Sequence, residues 1–244
     1  MDAGELNAVL SDRRRFISRL RFEDATANVA SFRSPYSEQR ALIEALMDST
    51  TRSVVVLKPR QIGITTANCA DTFWETFAAT KPLRTIVAAD HNKTTKSIFK
   101  KFCTYYNFLP ASLKAANPFK INQNDKTLIS QRSGALIDHM TARGNAHGRG
   151  WTYQRMIAGL RSTLHEGPDT KIIIVSTPNG PGNFYHERVL NAMEAERNGD
   201  TSTKFIFSKW SDHKTYRLNP PSGWEPSEEE WQLKQLYELD MAQL

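Results

Sequence analysis

The stretch Ser53-Val54-Val55-Val56-Leu57-Lys58-Pro59-Arg60-Gln61-Ile62-Gly63-Ile64-Thr65-Thr66 decides the fold. Val54 to Leu57 are apolar and bounded by charges, which is typical of a short strand buried on both faces. The threonine-rich run after Gly63 predicts the start of a helix. A strand, a tight loop and a helix together form the layout that binds phosphate, because backbone N–H groups at a helix N-terminus attract anions. An ordinary buried strand followed by a helix is the alternative for this stretch alone.

The loop departs from the usual Walker A pattern G-x-x-x-x-G-K-S/T, in which a lysine reaches the outer phosphates and a hydroxyl ligates magnesium. When the two are aligned on Gly63, Lys58 occupies the first glycine position and Ile64 the lysine position, and Thr65 takes the place of the magnesium ligand. The cation has therefore moved to the front of the loop. Lys58 and Arg60 both have side chains long enough to fold back onto a triphosphate, and the sequence leaves the choice between them open.

Two further motifs follow the loop in order. His147-Gly148-Arg149-Gly150 lies in a stretch rich in glycine and arginine, and a run of apolar residues ends in Ser176-Thr177-Pro178-Asn179-Gly180. Together with Lys-x-Arg-Gln-x-Gly-x-Thr-Thr in the loop, these motifs resemble the ATPase domain of the large terminase subunit of tailed bacteriophages, from Ser34 to Trp210. The resemblance implies an α/β fold of the P-loop NTPase class (RecA-like/ASCE), with a mostly parallel central sheet flanked by helices.

The resemblance also implies a function. Large terminases bind ATP with Mg²⁺ and couple its hydrolysis to the movement of double-stranded viral DNA into the procapsid. The expected partners are double-stranded DNA, the phage portal protein, the small terminase subunit and further copies of the chain in a ring. The expected location is the host cytoplasm, without a membrane.

Several residues outside the loop receive roles from the same resemblance. Gln39 lies 19 residues before Lys58 and is the expected adenine contact, because an amide can pair with both the donor and the acceptor edge of the base. An exposed helix glutamine is the alternative. Arg149 is the expected arginine that reaches the ATP of a neighbouring subunit, with Arg143 in reserve, and a DNA-facing loop is the competing interpretation for both.

The predicted site combines these residues with the loop and with the strand end that would sense the γ-phosphate. Its catalytic members are Lys58, Arg60 and Arg149. Its nucleotide-binding members are Gln39, Gln61, Ile62, Gly63, Ile64, Thr65, Thr66, Ser176, Thr177 and Asn179. Thr65 is also the predicted magnesium ligand.

The acidic pair of such an enzyme is missing. In the family, the strand after the arginine loop ends in two acids, one in the magnesium shell and one that activates the attacking water. Here the predicted strand Tyr153–Ala158 runs directly into Gly159–Glu166, which is typical of the later helix, with no Asp-Glu pair between them. A segment carrying the acids is therefore absent relative to the family. Glu166 and Asp169 are the nearest acids in sequence, but solvated loop carboxylates explain them more simply.

Composition is that of a soluble globular protein. The 244 residues are 39% hydrophobic and 24% charged, with a formal net charge of +6. A basic balance is compatible with a polyanionic partner, although 26 acidic residues are interleaved with 32 basic ones. The two cysteines, Cys69 and Cys103, have no partner motif and are expected to be reduced packing residues.

We expect three parts along the chain. Residues 1–33 form a lead-in helix, with helical spacing from Glu5 to Phe22, and residues 34–215 form the ATPase domain. Residues 216–244 form a linker and a capped helix that would lead to a nuclease domain in a full-length terminase; we expect that domain, and nuclease activity, to be absent. Within the ATPase domain, Pro110–Asp125 lacks periodicity and is predicted to be a surface excursion, followed by a hairpin around Gly134.

Overall fold

The protein is represented by a computed structural model that describes residues 3–23, 28–141, 170–178, 180–213 and 216–244. The helices of this part are α1 (Ala3–Ser11), α2 (Arg13–Arg19), α3 (Ser37–Met47), α4 (Ile64–Ala78), α5 (Asn92–Phe108), α6 (Ala111–Ala116), α7 (Phe184–Arg197) and α8 (Glu228–Tyr237). Its strands are β1 (Arg21–Glu23), β2 (Val29–Ser31), β3 (Ser53–Leu57), β4 (Arg84–Ala89), β5 (Phe119–Asn122), β6 (Thr127–Ser130), β7 (Leu136–Thr141), β8 (Ile172–Ser176) and β9 (Thr203–Phe207).

The strand β3 is the centre of a three-stranded parallel sheet in the order β8-β3-β9. Leu57 at the end of β3 is level with Ser176 on one side and with Phe207 on the other, so all three strands end at the same edge. Val54, Val55 and Val56 are buried, which confirms the predicted strand with two covered faces. The loop from Lys58 to Gly63, called the phosphate loop below after its predicted role, therefore leaves the sheet at its carboxyl edge, where α/β proteins bind ligands.

A second sheet has the order β4-β7-β6-β5. β4 and β7 are parallel, whereas β7, β6 and β5 are joined by antiparallel pairs. The predicted hairpin is confirmed as β6 and β7, and Gly134 in its turn has the positive φ of 74° that favours glycine. The described fold is thus α/β, with one parallel and one mixed sheet and helices packed against them.

The core is built around α4, the helix that begins at the phosphate loop. Phe73 and Phe77 of α4 are fully buried and contact Phe16 of α2, with ring centroids 6.1 and 5.1 Å apart. The lead-in residues are therefore part of the same core as β3 and α4.

The single lead-in helix predicted from Glu5 to Phe22 is wrong. The chain forms α1 and α2, separated at Asp12, and Phe22 belongs to strand β1. The Asp12 carboxylate accepts a hydrogen bond from the backbone N–H of Arg15 at 3.0 Å, so it starts a new helix at the point where periodicity alone would continue the first.

The surface excursion predicted for Pro110–Asp125 is also wrong, because this segment contains α6 and β5. Asn117 is completely buried, and its side-chain amide donates to the backbone oxygen of Phe77 at 2.7 Å. Phe119 follows and stacks on the Phe77 ring at 5.6 Å. Polar composition suggested a loop, but the asparagine makes a buried hydrogen bond to α4.

The apolar run before Ser176 forms the strand β8, as the sequence predicts. The capping box at the start of α8 is confirmed, since Ser227 and Glu230 exchange both of its hydrogen bonds. None of the helices in the described ranges is long and apolar enough to cross a membrane. The predicted strand Tyr153–Ala158 lies outside the described residues.

Candidate functional site

The loop between β3 and α4 is fixed at both ends by backbone and apolar contacts. The backbone N–H of Lys58 donates to the oxygen of Ser176 at 3.3 Å, which joins the start of the loop to the end of β8. Ile62 and Ile64 are fully buried and anchor the far end in the core. Within the loop, Gln61 and Gly63 have positive φ values of 61° and 73°. Turns of this kind orient successive backbone N–H groups toward one point, which favours an anion.

The start of α4 adds to this anion site. Gly63 is the N-cap residue and provides no side-chain hydrogen bond to the first N–H groups of the 15-residue helix. Uncapped N–H groups at a helix N-terminus carry partial positive charge. Thr65 is half-buried and Thr66 is buried, and the Tyr105 hydroxyl donates to the Thr66 backbone oxygen at 2.8 Å. The helix start is thereby held in place from the core side.

Lys58 is the better placed of the two candidate cations. Its side chain is half-buried and its ammonium donates to the Pro59 oxygen at 3.2 Å, whereas Arg60 is exposed. Burial lowers the pKa of Lys58 below its ordinary value, and the charge of Arg60 lowers it further. Across the described ranges, neither cation forms an ion pair with a carboxylate. Two cations without an acid beside them are suited to a phosphate group.

Gln39 connects α3 to the loop. It is only 5% exposed, and its side-chain oxygen accepts a hydrogen bond from the Tyr36 backbone N–H at 3.0 Å. Its side-chain nitrogen lies against Gly63 so closely that a Cβ atom at that position would collide with it. Gln39 is therefore packed on the phosphate loop rather than exposed on a helix surface, and the adenine contact stays a prediction.

A neighbouring contact connects α3 to β9. Glu38 accepts a hydrogen bond from the Ser208 hydroxyl at 3.3 Å, and the Ser208 backbone N–H donates to Leu57 at 3.0 Å. The first turn of α3 is thus held against the carboxyl edge of the parallel sheet.

The strand end of β8 lies beside the loop, as the sequence predicts for a γ-phosphate sensor. Ser176 is level with Leu57, and its hydroxyl donates to the Thr177 oxygen at 3.2 Å. The Tyr185 hydroxyl lies 2.5 Å from the Val56 oxygen and 3.1 Å from the Ser176 oxygen, so α7 bonds both strands where they end. Burial raises the pKa of Tyr185 to about 12, which keeps the hydroxyl protonated as a donor. The sequence analysis missed Tyr185, because no motif marks this contact.

Several predicted site residues cannot be placed. Arg149, Arg143 and Asn179 lie outside the described residues, as do the acids Glu166 and Asp169. The described part therefore brings together the loop, Gln39, Ser176 and Thr177, without the arginine predicted to act on a neighbour's nucleotide.

The described residues fit a triphosphate more completely than they fit Mg²⁺. The cations, the uncapped helix start and the positive-φ loop all favour anionic oxygens. For Mg²⁺, which takes one or two carboxylates together with phosphate oxygens, the loop supplies the Thr65 hydroxyl. No group of three or more His, Cys, Asp or Glu side chains suited to a metal occurs among the residues that the structure describes.

The fold was then compared with known proteins. No protein-family profile matches the sequence, and no curated protein matches it. The fold is similar to that of the HK97 bacteriophage large terminase, with a TM-score of 0.62 and 17% identity over 98% of this chain. It is also similar to a mutant of the large terminase ATPase domain from Thermus phage P74-26, with a TM-score of 0.54 and 17% identity.

The two matches differ in how much of the known protein they include. This chain spans about half of the HK97 protein, 52% of its length. The match to the P74-26 domain covers 84% of this chain and 89% of that domain. The chain thus has the fold of the phage large terminase ATPase domain, which confirms the expected P-loop NTPase fold class.

Proposed function

We propose that this chain is the ATPase module of a phage DNA-packaging motor. The observation that carries the proposal is the placement of three features at one edge of a parallel sheet: Lys58, which has no carboxylate partner among the described residues, an uncapped helix N-terminus, and the Ser176 strand end. Each of these features favours phosphate, as in the strand, loop and helix that bind a nucleoside triphosphate. The shared terminase fold supports the choice of a packaging motor among P-loop functions.

The residues take the following roles in this proposal. The loop from Lys58 to Thr66 holds the phosphates through its backbone N–H groups, with Lys58 on the outer phosphates. Thr65 is the protein ligand of Mg²⁺, which when bound neutralises charge on the phosphates. Gln39 holds the loop from α3 and contacts the adenine. Ser176, with Thr177 and Asn179, responds to the γ-phosphate, and Arg149 acts on the nucleotide of an adjacent copy.

The motor acts in the host cytoplasm and translocates double-stranded DNA into the procapsid. Its protein partners are the portal, the small terminase subunit and other copies of the chain arranged in a ring. The terminase fold supports DNA and the other motor components as partners, and the net charge of +6 is compatible with binding to DNA.

Nucleotide binding tests the proposal directly. Lys58→Ala removes the phosphate contact, and we expect it to weaken MgATP binding at least tenfold in isothermal titration calorimetry, since charge-assisted hydrogen bonds contribute about 1.5–3 kcal/mol. Lys120→Ala is the matched control, because Lys120 is an exposed lysine on β5, away from the loop. Equal affinity of the Lys58 and Lys120 variants would contradict the proposal.

A second function, nucleotide binding without turnover, is favoured by one observation. The sequence between Ala158 and Glu166 contains no acid, so the pair that a packaging ATPase uses for magnesium and water is missing there. Loss of a general base lowers a rate by about 10²–10⁴. Tight ATP binding with turnover at the background rate would identify this second function.

A further inference from the structure

A basic groove lies beside the last residue of α5. It has a volume of about 790 Å³ and is formed by the end of α2, the hairpin of β1 and β2, and the end of α5. α5 is 17 residues long and runs from the end of β4 to Phe108, which corresponds to about 25 Å of helix. None of the residues that line the groove is a predicted nucleotide contact, so the inference below does not depend on that site.

Strand alternation determines which side chains face this groove. Phe22 and Phe32 turn inward and contact each other at 4.7 Å, and Phe32 is buried against Tyr105. Because side chains alternate along a strand, Arg21 turns outward, level with Ser31 on the paired strand. The hairpin thus presents an apolar face to the core and a basic, hydroxyl-bearing face to the groove.

The groove carries more positive charge than the described residues neutralise. Arg19, Arg21 and Arg33 all line it. Arg19 is paired with Glu5 at 2.9 Å, and the nearby Glu23 is paired with Lys100 at 2.6 Å. Arg21 and Arg33 are exposed, and neither has an ion-pair partner within the described ranges. Among the described residues, these two guanidinium groups without an ion-pair partner, together with the Ser31 hydroxyl, are a donor set suited to phosphodiester oxygens.

An aromatic ring completes the groove. Phe108, at the end of α5, is 43% exposed and lines the groove together with Pro110 and Val29. The ring therefore offers an apolar surface inside an otherwise basic groove. Every nucleobase has a flat face that can stack on such a ring, whereas the arginines follow the backbone.

We propose that this groove binds a short segment of single-stranded nucleic acid. The arginines hold the phosphates and Phe108 stacks on a base. A duplex keeps its bases stacked on one another and leaves no face for the ring, so the aromatic contact favours a single strand. An acidic peptide would use the arginines but would gain nothing specific from the ring.

Fluorescence anisotropy with a labelled oligothymidylate of about ten nucleotides tests the proposal over a range of salt concentrations. The double variant Arg21→Ala, Arg33→Ala removes two phosphate contacts, and we expect the slope of log K against log salt to decrease in magnitude by about 1.4. Phe108→Ala should weaken binding about five- to 150-fold with the slope unchanged, because it removes stacking without changing charge. Phe108→Trp keeps a stacking ring and should retain the affinity.

The matched control is Lys93→Ala with Lys96→Ala, which removes the same charge from exposed positions at the other end of α5. We expect this control to leave the salt slope unchanged, and circular dichroism to show the same fold for all variants. An equal slope change in the control would overturn the proposal, because binding would then follow net charge. Displacement by polyglutamate or by a duplex of equal length, with no effect of Phe108→Ala, would also overturn it.

Discussion

At the scale of single residues, Gly63 and Gln39 form the tightest contact of the loop. A methyl group at position 63 meets the Gln39 amide and also requires a left-handed backbone, which costs an L-residue about 1–2 kcal/mol. We therefore expect Gly63→Ala to weaken ATP binding more than tenfold and to lower stability. Gly199→Ala is the matched control, since Gly199 has a φ of 75° with no atom near its Cβ position. The Gly199→Ala variant has the same cost of a left-handed backbone but no collision, so its ATP affinity in calorimetry should equal that of the unmodified chain. Equal losses of ATP affinity in the two variants would contradict the role of the Gly63–Gln39 contact.

Asp71 of α4 is buried beside Arg13, whose guanidinium lies 3.4 Å from it and 2.7 Å from Glu75. Burial raises the pKa of Asp71 from 3.8 to about 7, although the Arg13 charge acts in the opposite direction. The difference corresponds to about 4 kcal/mol, because each pKa unit is worth 1.36 kcal/mol. The Arg13 guanidinium also lies 4.4 Å from the Trp74 ring centre.

The sign of the Asp71 effect follows from proton binding. Between pH 4 and pH 7 the folded state holds a proton on Asp71 that the unfolded state has released, so stability falls as the pH rises through this range. We expect Asp71→Asn, which cannot ionise, to remove most of this decrease. Urea unfolding of the parent chain and of the Asp71→Asn variant at several pH values measures this decrease in stability. Parallel pH profiles of stability for the two proteins would contradict the raised pKa of Asp71.

The residues of the loop could be found from sequence because strand, glycine and threonine lie next to one another in the chain. Tyr185 and the Arg13–Asp71 pair could not, since the partners of each contact are far apart in sequence and only the fold brings them together. The burial of Gln39 could not be predicted either, because Gln39 lies on α3 and packs against Gly63 at the start of α4.

At the scale of elements, α7 connects the two strands that frame the site. Tyr185→Phe removes the hydroxyl that bonds the Val56 and Ser176 oxygens and leaves the ring in place. We expect a loss of about 1–3 kcal/mol in stability, because buried acceptors lose their donor, together with weaker ATP binding. Tyr237→Phe is a suitable control, as Tyr237 is 58% exposed on α8. Thermal unfolding measures the loss of stability, and calorimetry measures the ATP affinity. If both are unchanged in Tyr185→Phe, the proposed role of this contact is wrong.

Elements with strong periodicity or strong caps were predictable, and those set by a single polar contact were not. β3, β8 and the capped helix α8 show local signals that agree with their surroundings. The break between α1 and α2 depends on one carboxylate at Asp12, and β5 exists because Asn117 bonds to α4. Short elements of this kind take their stability from tertiary contacts that composition does not show.

At the scale of the whole molecule, β8 and β4 are the edges of two sheets. Within the described ranges, β8 pairs only with β3, and β4 pairs only with β7. The first four residues of β8, Ile172 to Val175, are apolar, yet every residue of the strand is only partly buried. Within the described part of the chain, β8 and β4 are therefore edge strands.

The fold class could be predicted for the whole molecule because three motifs in order specify more than any one of them. Catalytic competence could not be predicted in the same way, since it depends on the Asp-Glu pair that the sequence lacks between Ala158 and Glu166.

The most direct test measures ATP binding and ATP turnover side by side, on this chain and on a version with an Asp-Glu-bearing segment inserted after Ala158. The account predicts that both chains bind MgATP through the Lys58 loop and that turnover in the restored chain is higher by about 10²–10⁴. Equal turnover in the two chains would contradict the account, because another acid would then supply the base. Absence of binding in both would contradict the assignment of the loop itself.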